Sequence, residues 1–115
     1  MAFSELELKR IDRVVGELCR RGSPPEHADK LRTVCEIAGH SVSVYEERPP
    51  WRGDGEWTRM GVARFRFFRS RGEWQLYWMR QDLRWHLYWP EDEMPSDLES
   101  LVALVEADQF GAFFG

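Results

Sequence analysis

Residues 62–89 read VARFRFFRSRGEWQLYWMRQDLRWHLYW. Polar and apolar residues alternate with a period of two, the signature of strands with one face buried. The alternation breaks at Ser70-Arg71-Gly72 and again at Gln81-Asp82-Leu83, both rich in turn-forming residues. The stretch therefore predicts strands over 62–69, 73–79 and 84–89. Connections this short make the neighbours antiparallel. Sorting side chains by alternation puts Phe65, Phe67, Trp74, Leu76, Trp78, Trp85, Leu87 and Trp89 on a core face. The outer face then collects Arg64, Arg66, Gln75, Tyr77, His86 and Tyr88, with Arg80 and Arg84 at the connecting turn.

Upstream, Leu31, Thr33, Cys35 and Ile37 alternate with Arg32, Val34 and Glu36, and Val42 and Val44 alternate with Ser43, Tyr45 and Glu47. Ala38-Gly39-His40-Ser41 sits between them, so a hairpin is expected, adding Arg32, Tyr45 and Glu47 to the outer face. Pro49-Pro50 ends it. A loop follows with Gly53-Asp54-Gly55 at its tip and Trp51 and Trp57 at its ends. At the start, Ser4 and Glu7 have capping-box spacing ahead of Leu8, Ile11, Val15 and Leu18, which predicts a helix over 5–20. Gly22 and Pro24-Pro25 stop it. Ser96 and Glu99 have the same spacing ahead of Leu98, Leu101, Val102 and Val105, predicting a helix over 97–107. The apolar tail around Phe110, Phe113 and Phe114 is expected to dock on the core. The order is α-β-β-β-β-β-α: an α+β domain over 1–115, its five-stranded antiparallel meander packed on one face against an N-terminal and a C-terminal helix.

At 13.7 kDa the chain buries roughly two thirds of its unfolded surface and needs no metal or disulfide to fold. No apolar run is long enough to span a bilayer. The N-terminus lacks the basic and apolar regions of a secretion signal, so a cytoplasmic protein is expected. Cys19 and Cys35 are read as buried free thiols of a reducing compartment. Fourteen arginines stand against two lysines, a bias that GC-rich coding produces as readily as function does. Six tryptophans have no such origin. Four of them fall on the expected core face and are read as packing.

Net charge is −4, which speaks against a uniformly basic coat protein. Its distribution is uneven. Residues 48–89 hold nine arginines against four acids, whereas residues 91–108 hold seven acids and no base. Either the acidic helix offsets the strands, or the sheet carries a basic binding surface. Arginine, tyrosine, histidine and glutamine on one sheet face suit nucleic acid: aromatic rings stack on bases and guanidinium groups pair with phosphates. The same set suits another anionic ligand, and a plain solvated face.

Chemistry is sparse. Gly53-Asp54-Gly55 lacks the lysine and helix of a phosphate loop. His27, His40 and His86 are scattered, and no Cys-x-x-Cys occurs, so neither a metal nor a cofactor is expected. One polar constellation stands out, with Arg80 and Arg84 flanking Asp82 and with His86 and Tyr88 following. Asp82 is placed to orient an arginine and His86 to act as a general base, in a pocket closed by the loop over 50–57. Three readings follow. The first is a non-enzymatic binding module whose outer face and Trp51–Trp57 loop engage an anionic partner such as nucleic acid. The second is a protein–protein or homodimer module built on exposed aromatics. The third is a small enzyme centred on Arg80, Asp82, Arg84 and His86.

The run Trp78-Met-Arg-Gln-Asp-Leu-Arg-Trp-His-Leu-Tyr88, the opening Ser4-Glu5-Leu6-Glu7, the step Arg48-Pro49-x-Trp51 and the ending Asp108-x-x-Gly111-x-Phe113-Phe114-Gly115 resemble a small bacterial family known only as a domain of unknown function. The resemblance covers nearly the whole chain. It implies a stand-alone bacterial domain and carries no activity, cofactor or catalytic residue. It also implies a tail cysteine where this chain has Ala112.

Overall fold

A computed structural model describes residues 3–22, 26, 30–50, 53, 55–89, 93–108 and 111–114. Pro24-Pro25, His27, Trp51, Asp54, Pro90 and Phe110 lie outside them.

The chain begins with α1 (Glu5–Ile11), a π-helical segment (Asp12–Gly16) and α2 (Glu17–Arg21), set end to end. The expected capping box is present. Ser4 Oγ accepts from the Glu7 amide at 3.2 Å, and Glu7 Oε1 accepts from the Ser4 amide at 2.7 Å. Ile11, Val15, Leu18 and Cys19 turn inward. The second long helix, α3 (Leu98–Ala107), starts one residue later than its sequence spacing suggests. Its N-cap is Asp97, whose carboxylate accepts from the Ser100 amide at 2.9 Å. The Ser96 carbonyl instead takes the Trp74 amide at 2.8 Å. With the phase shifted, Glu99 leaves the box and reaches Arg10 of α1 at 2.5 Å.

The sheet is a meander in the order β1 (Arg32–Ala38), β2 (Ser41–Arg48), β3 (Thr58–Phe68), β4 (Glu73–Met79), β5 (Trp85–Leu87), antiparallel throughout and not closed. β3 begins four residues earlier than its alternation suggests. Val44 pairs with Ala63 and Tyr45 with Gly61, so Val62 is an extra residue that hides the period. One row of the core face runs through four strands: Ile37, Val42, Phe65 and Leu76 lie opposite one another in turn. Val42, Phe65 and Leu76 are fully buried beneath Val15, Leu98, Leu101 and Val105 of the helical layer.

β1 and β5 form the edges. β5 is only three residues long, and β1 carries Arg32 and Glu36, features that discourage edge-to-edge pairing. The edge position also corrects the reading of Cys35. It points to the helix side but is exposed, while Cys19 is buried. The tail docks as expected. Asp108, with a positive φ of 43°, ends α3, and its carboxylate accepts from the amides of Phe113 and Phe114 at 2.9 and 2.8 Å. Phe113 is thereby seated in the core, and Phe114 stays exposed.

Glu7 also bonds Arg69, which follows β3, at 2.9 Å, tying the first helix to the sheet. That bond and the Ser4 amide lower the Glu7 carboxyl from 4.5 to about 2. A lowered carboxyl contributes stability above its unfolded value and loses it as pH falls through the folded one. The wild-type unfolding midpoint is expected to drop between pH 4.5 and about 2. Glu7→Gln removes the ionisation and should flatten that part of the profile, as read by urea melts across the window.

Candidate anion-binding face

The sheet face away from the helices is built from arginines laid on aromatic rings. The Arg32 guanidinium lies 3.7 Å from the Trp57 ring centre, and Arg59 lies 4.7 Å from Tyr45. Arg64 lies 4.7 Å from Trp85, and Arg66 4.9 Å from Phe68. Tyr45 meets Trp85 edge-on at 6.1 Å. Cross-strand registry explains the pattern, because Arg64 stands opposite Ser43 and Tyr77, and Arg66 opposite Ser41 and Gln75. Glycine at 61 makes room, since a Cβ there would come within 2.9 Å of Trp85 and 2.8 Å of Met79.

Trp85 corrects the face assignment of β5. Tyr77 lies opposite Leu87, Trp78 opposite His86, and Met79 opposite Trp85. Opposed residues share a face, so Trp85 and Leu87 are outer and His86 and Tyr88 are inner. The physical reason is the turn. Five residues, 80–84, separate the strands, and the Arg80 amide bonds the Arg84 carbonyl at 3.2 Å. An odd connection preserves odd and even positions across the hairpin, and a one-residue change inverts every side chain. Leu83 takes the left-handed conformation, φ 61°, that closes this turn. Tyr88 thus extends the buried row, its amide bonded to the Leu76 carbonyl at 3.0 Å and its ring 4.8 Å from Phe113. Burial, with Asp108 nearby, raises its phenol above the ordinary value.

Two classes of arginine share the outer face. Arg59 bonds Glu36 at 2.6 Å and Glu47 at 2.9 Å, and Arg32 reaches Glu47 at 3.4 Å. No carboxylate among the described residues pairs with Arg64 or Arg66. Arg64 is steered by Nε donating to Ser43 Oγ at 2.8 Å and by the Trp85 ring beneath it. The two line an open depression of about 680 Å³ together with His40, Phe68, Tyr77 and Trp85. Arg69, held by Glu7, closes one side. His40 Nε2 is buried and makes no hydrogen bond among the described residues. Gln75 is buried beneath this face and accepts from the Tyr77 hydroxyl at 2.9 Å.

The acids of α3 do not neutralise these cations. Glu99 pairs with Arg10 and Glu106 with Arg21, both in the helical layer, at 2.5 and 2.6 Å. Of the outer-face residues read from the sequence, Arg64, Arg66 and Tyr77 come together around the depression, with Gln75 below. His86 and Tyr88 do not join them. Trp57 lies under Arg32 and does not line the depression, and Trp51 lies outside the described residues. The alternation missed Trp85 because of the turn parity. It missed His40 and Ser41 because hairpin register alone brings them beside Arg66; the signal was the short Gly39-His40 connection.

The second constellation assembles in part. His86 Nε2 and Asp82 Oδ2 are 2.9 Å apart, and Asp82 Oδ1 accepts from the Arg84 amide at 3.0 Å. These two bonds hold the Asp82 carboxyl below its usual range. Arg80 leans over Trp78 at 5.6 Å and lines a separate hollow with Asp82. His86 and Arg84 do not line that hollow, and neither do the described residues of the loop over 50–57. Arg84 contributes a backbone amide, so the four residues meet in pairs rather than around one point. Among the described residues no group of three or more His, Cys, Asp or Glu is placed to hold a metal ion, and no helix is long and apolar enough to cross a membrane.

Among protein-family models, the one described as "Domain of unknown function (DUF3024)" matches residues 3–115. No curated protein and no solved structure matches the chain.

The inverted β5 separates two substitutions that alternation alone would rank the other way. Tyr88→Ala removes a ring packed between Trp78 and Phe113 and is expected to cost about 3 kcal/mol. Trp85→Ala leaves that row intact and should cost about 1 kcal/mol or less. Urea denaturation of both variants checks the order.

Proposed function

We propose that this chain, which belongs to the DUF3024 family, binds single-stranded nucleic acid on its outer sheet face, phosphate first. The observation that carries the reading is the pair Arg64 and Arg66, adjacent on one face of β3, without carboxylate partners among the described residues and lining the same depression. An arginine fork presents donors matched to phosphate oxygens. The rings beneath supply a second element. Trp85 and Phe68 are each covered by a guanidinium, so the surface offered to a base is a guanidinium plane backed by an aromatic ring. Bases stack on both kinds of surface. Tyr77 and His40 flank the cations with further rings and polar atoms. The depression is open along the sheet, which suits an extended strand better than an enclosed small molecule. Such a module works without catalysis, in a bacterial cytoplasm where RNA and transient single-stranded DNA are at hand.

Fluorescence anisotropy with labelled single-stranded RNA, single-stranded DNA and duplex DNA tests it. Roughly micromolar binding is expected, with log affinity falling against log salt by about 0.7 for each phosphate contacted. Arg64→Ala and Arg66→Ala should each weaken binding across sequences and reduce that slope by about one contact. Tyr77→Ala should cost about 1–3 kcal/mol if a base stacks there. Circular dichroism confirms that each variant is folded. Absence of salt-dependent binding at low salt overturns the proposal. Equal affinity for duplex removes the single-strand assignment.

A further inference from the structure

Away from the outer face, two thiols from different elements meet. Cys19 of α2 and Cys35 of β1 line one shallow surface hollow of about 560 Å³, shared with Asp12, Gly16 and Arg20. Cys35 is exposed at the edge strand and Cys19 is buried, both opening on this hollow and close enough that each thiol perturbs the other. We infer that Cys19 and Cys35 are a peroxide-responsive thiol pair, in which the exposed Cys35 is oxidised first and Cys19 resolves it to a reversible intramolecular disulfide.

The surroundings fit that division of labour. Thr33 Oγ1 donates to the Gly22 carbonyl at 3.0 Å, pinning the end of α2 to β1 and keeping the thiols in reach. The π-helical segment brings Asp12 and Arg20 together. Arg20 Nη1 bonds the Asp12 carboxylate at 3.3 Å, and Nη2 bonds its carbonyl at 3.1 Å. Gly16 permits this crossing, since a Cβ there would come within 2.8 Å of Asp12 Oδ1. The groups facing Cys35 are therefore Cys19, Arg20 and Asp12 from the helix, with only apolar Val44 opposite it on β2. The neighbouring Cys19 thiol and Arg20 favour the Cys35 thiolate, while burial and Asp12 oppose it. The balance lowers Cys35 from 9.0 to about 7, and Cys35 together with burial pushes Cys19 up. Thiolate character and access decide which cysteine reacts, and Cys35 has both.

The chemistry balances with a hydroperoxide as oxidant. The Cys35 thiolate attacks the peroxide oxygen; an S–O bond forms, the O–O bond breaks, and the departing alkoxide or hydroxide takes a proton. Cys35 becomes a sulfenic acid, oxidised by two electrons that reduce the peroxide. The Cys19 sulfur then attacks the Cys35 sulfur. An S–S bond forms, the S–O bond breaks, and hydroxide leaves with the Cys19 proton as water. An external dithiol reverses the step by exchange.

The test treats the full chain with hydrogen peroxide, blocks remaining thiols with iodoacetamide, and maps the products by mass spectrometry. Both cysteines should become unreactive together, at monomer mass, joined in one Cys19–Cys35 cross-link that dithiothreitol removes. Cys19→Ser should stop at a Cys35 sulfenic acid trapped by dimedone, and Cys35→Ser should leave Cys19 largely unoxidised. Without peroxide, the rate of Cys35 alkylation should rise with a midpoint near pH 7. Two free thiols after peroxide, or a sulfenic acid at Cys35 in the wild type that never converts, overturns the inference. The wild-type map decides even if a variant at the buried position fails to fold.

Discussion

One row of side chains governs the molecule. Val42, Phe65 and Leu76 face each other across three strands without solvent contact, and Tyr88 carries the row to its far end. The helices have one apolar stripe and must bury it there. Antiparallel pairing then fixes the face of every other strand residue, since a slip of one would expose the whole row. The outer face is the complement of that row. Arg64 is outside because Phe65 must be inside, and Trp85 is outside because Tyr88 and His86 lie on the inner side.

Charge is sorted by the same two-layer geometry. The acids of α3 are taken up by Arg10 and Arg21 in the helical layer, on the far side of the sheet from Arg64 and Arg66. A net charge of −4 thus coexists with a sheet surface whose central arginines lack acidic partners among the described residues. On the same face Glu36 and Glu47 neutralise Arg59, and Glu36 stands in the cross-strand row of Ser43 and Arg64. The surface therefore sets arginines paired with acids beside arginines that have no carboxylate partner among the described residues. Stacking the planar guanidinium groups on rings limits the rotamer freedom that anion binding would otherwise have to remove.

The tryptophan excess divides between the two faces. Trp74 stacks on Phe3 at 5.7 Å and is buried, and Trp78 packs beside Tyr88 on the core side. Trp57 and Trp85 are platforms beneath arginines. The arginine and tryptophan biases are therefore partly one feature, because the outer face pairs one residue type with the other.

Local sequence determined the element list. Capping chemistry at Ser4, the period of 3.6 before Leu18 and inside α3, the period of two in the strands, and turn residues at Gly39 and Gly72 are signals carried by neighbours in the chain. They determine that the domain is α+β, that its sheet is a meander, and that Arg64, Arg66 and Tyr77 share a face. What they leave open depends on distant partners. The bulge at Val62 is visible only against β2, the cap of α3 moved to Asp97 where Arg10 could claim Glu99, and the five-residue turn before Trp85 decided which side of β5 meets the core. The meeting of Cys19 with Cys35, and the lack of a carboxylate partner for Arg64 and Arg66 among the described residues, belong to the same class. Periodicity is a property of one strand, whereas facing, pairing and neutralisation are properties of two, so only the tertiary structure supplied them.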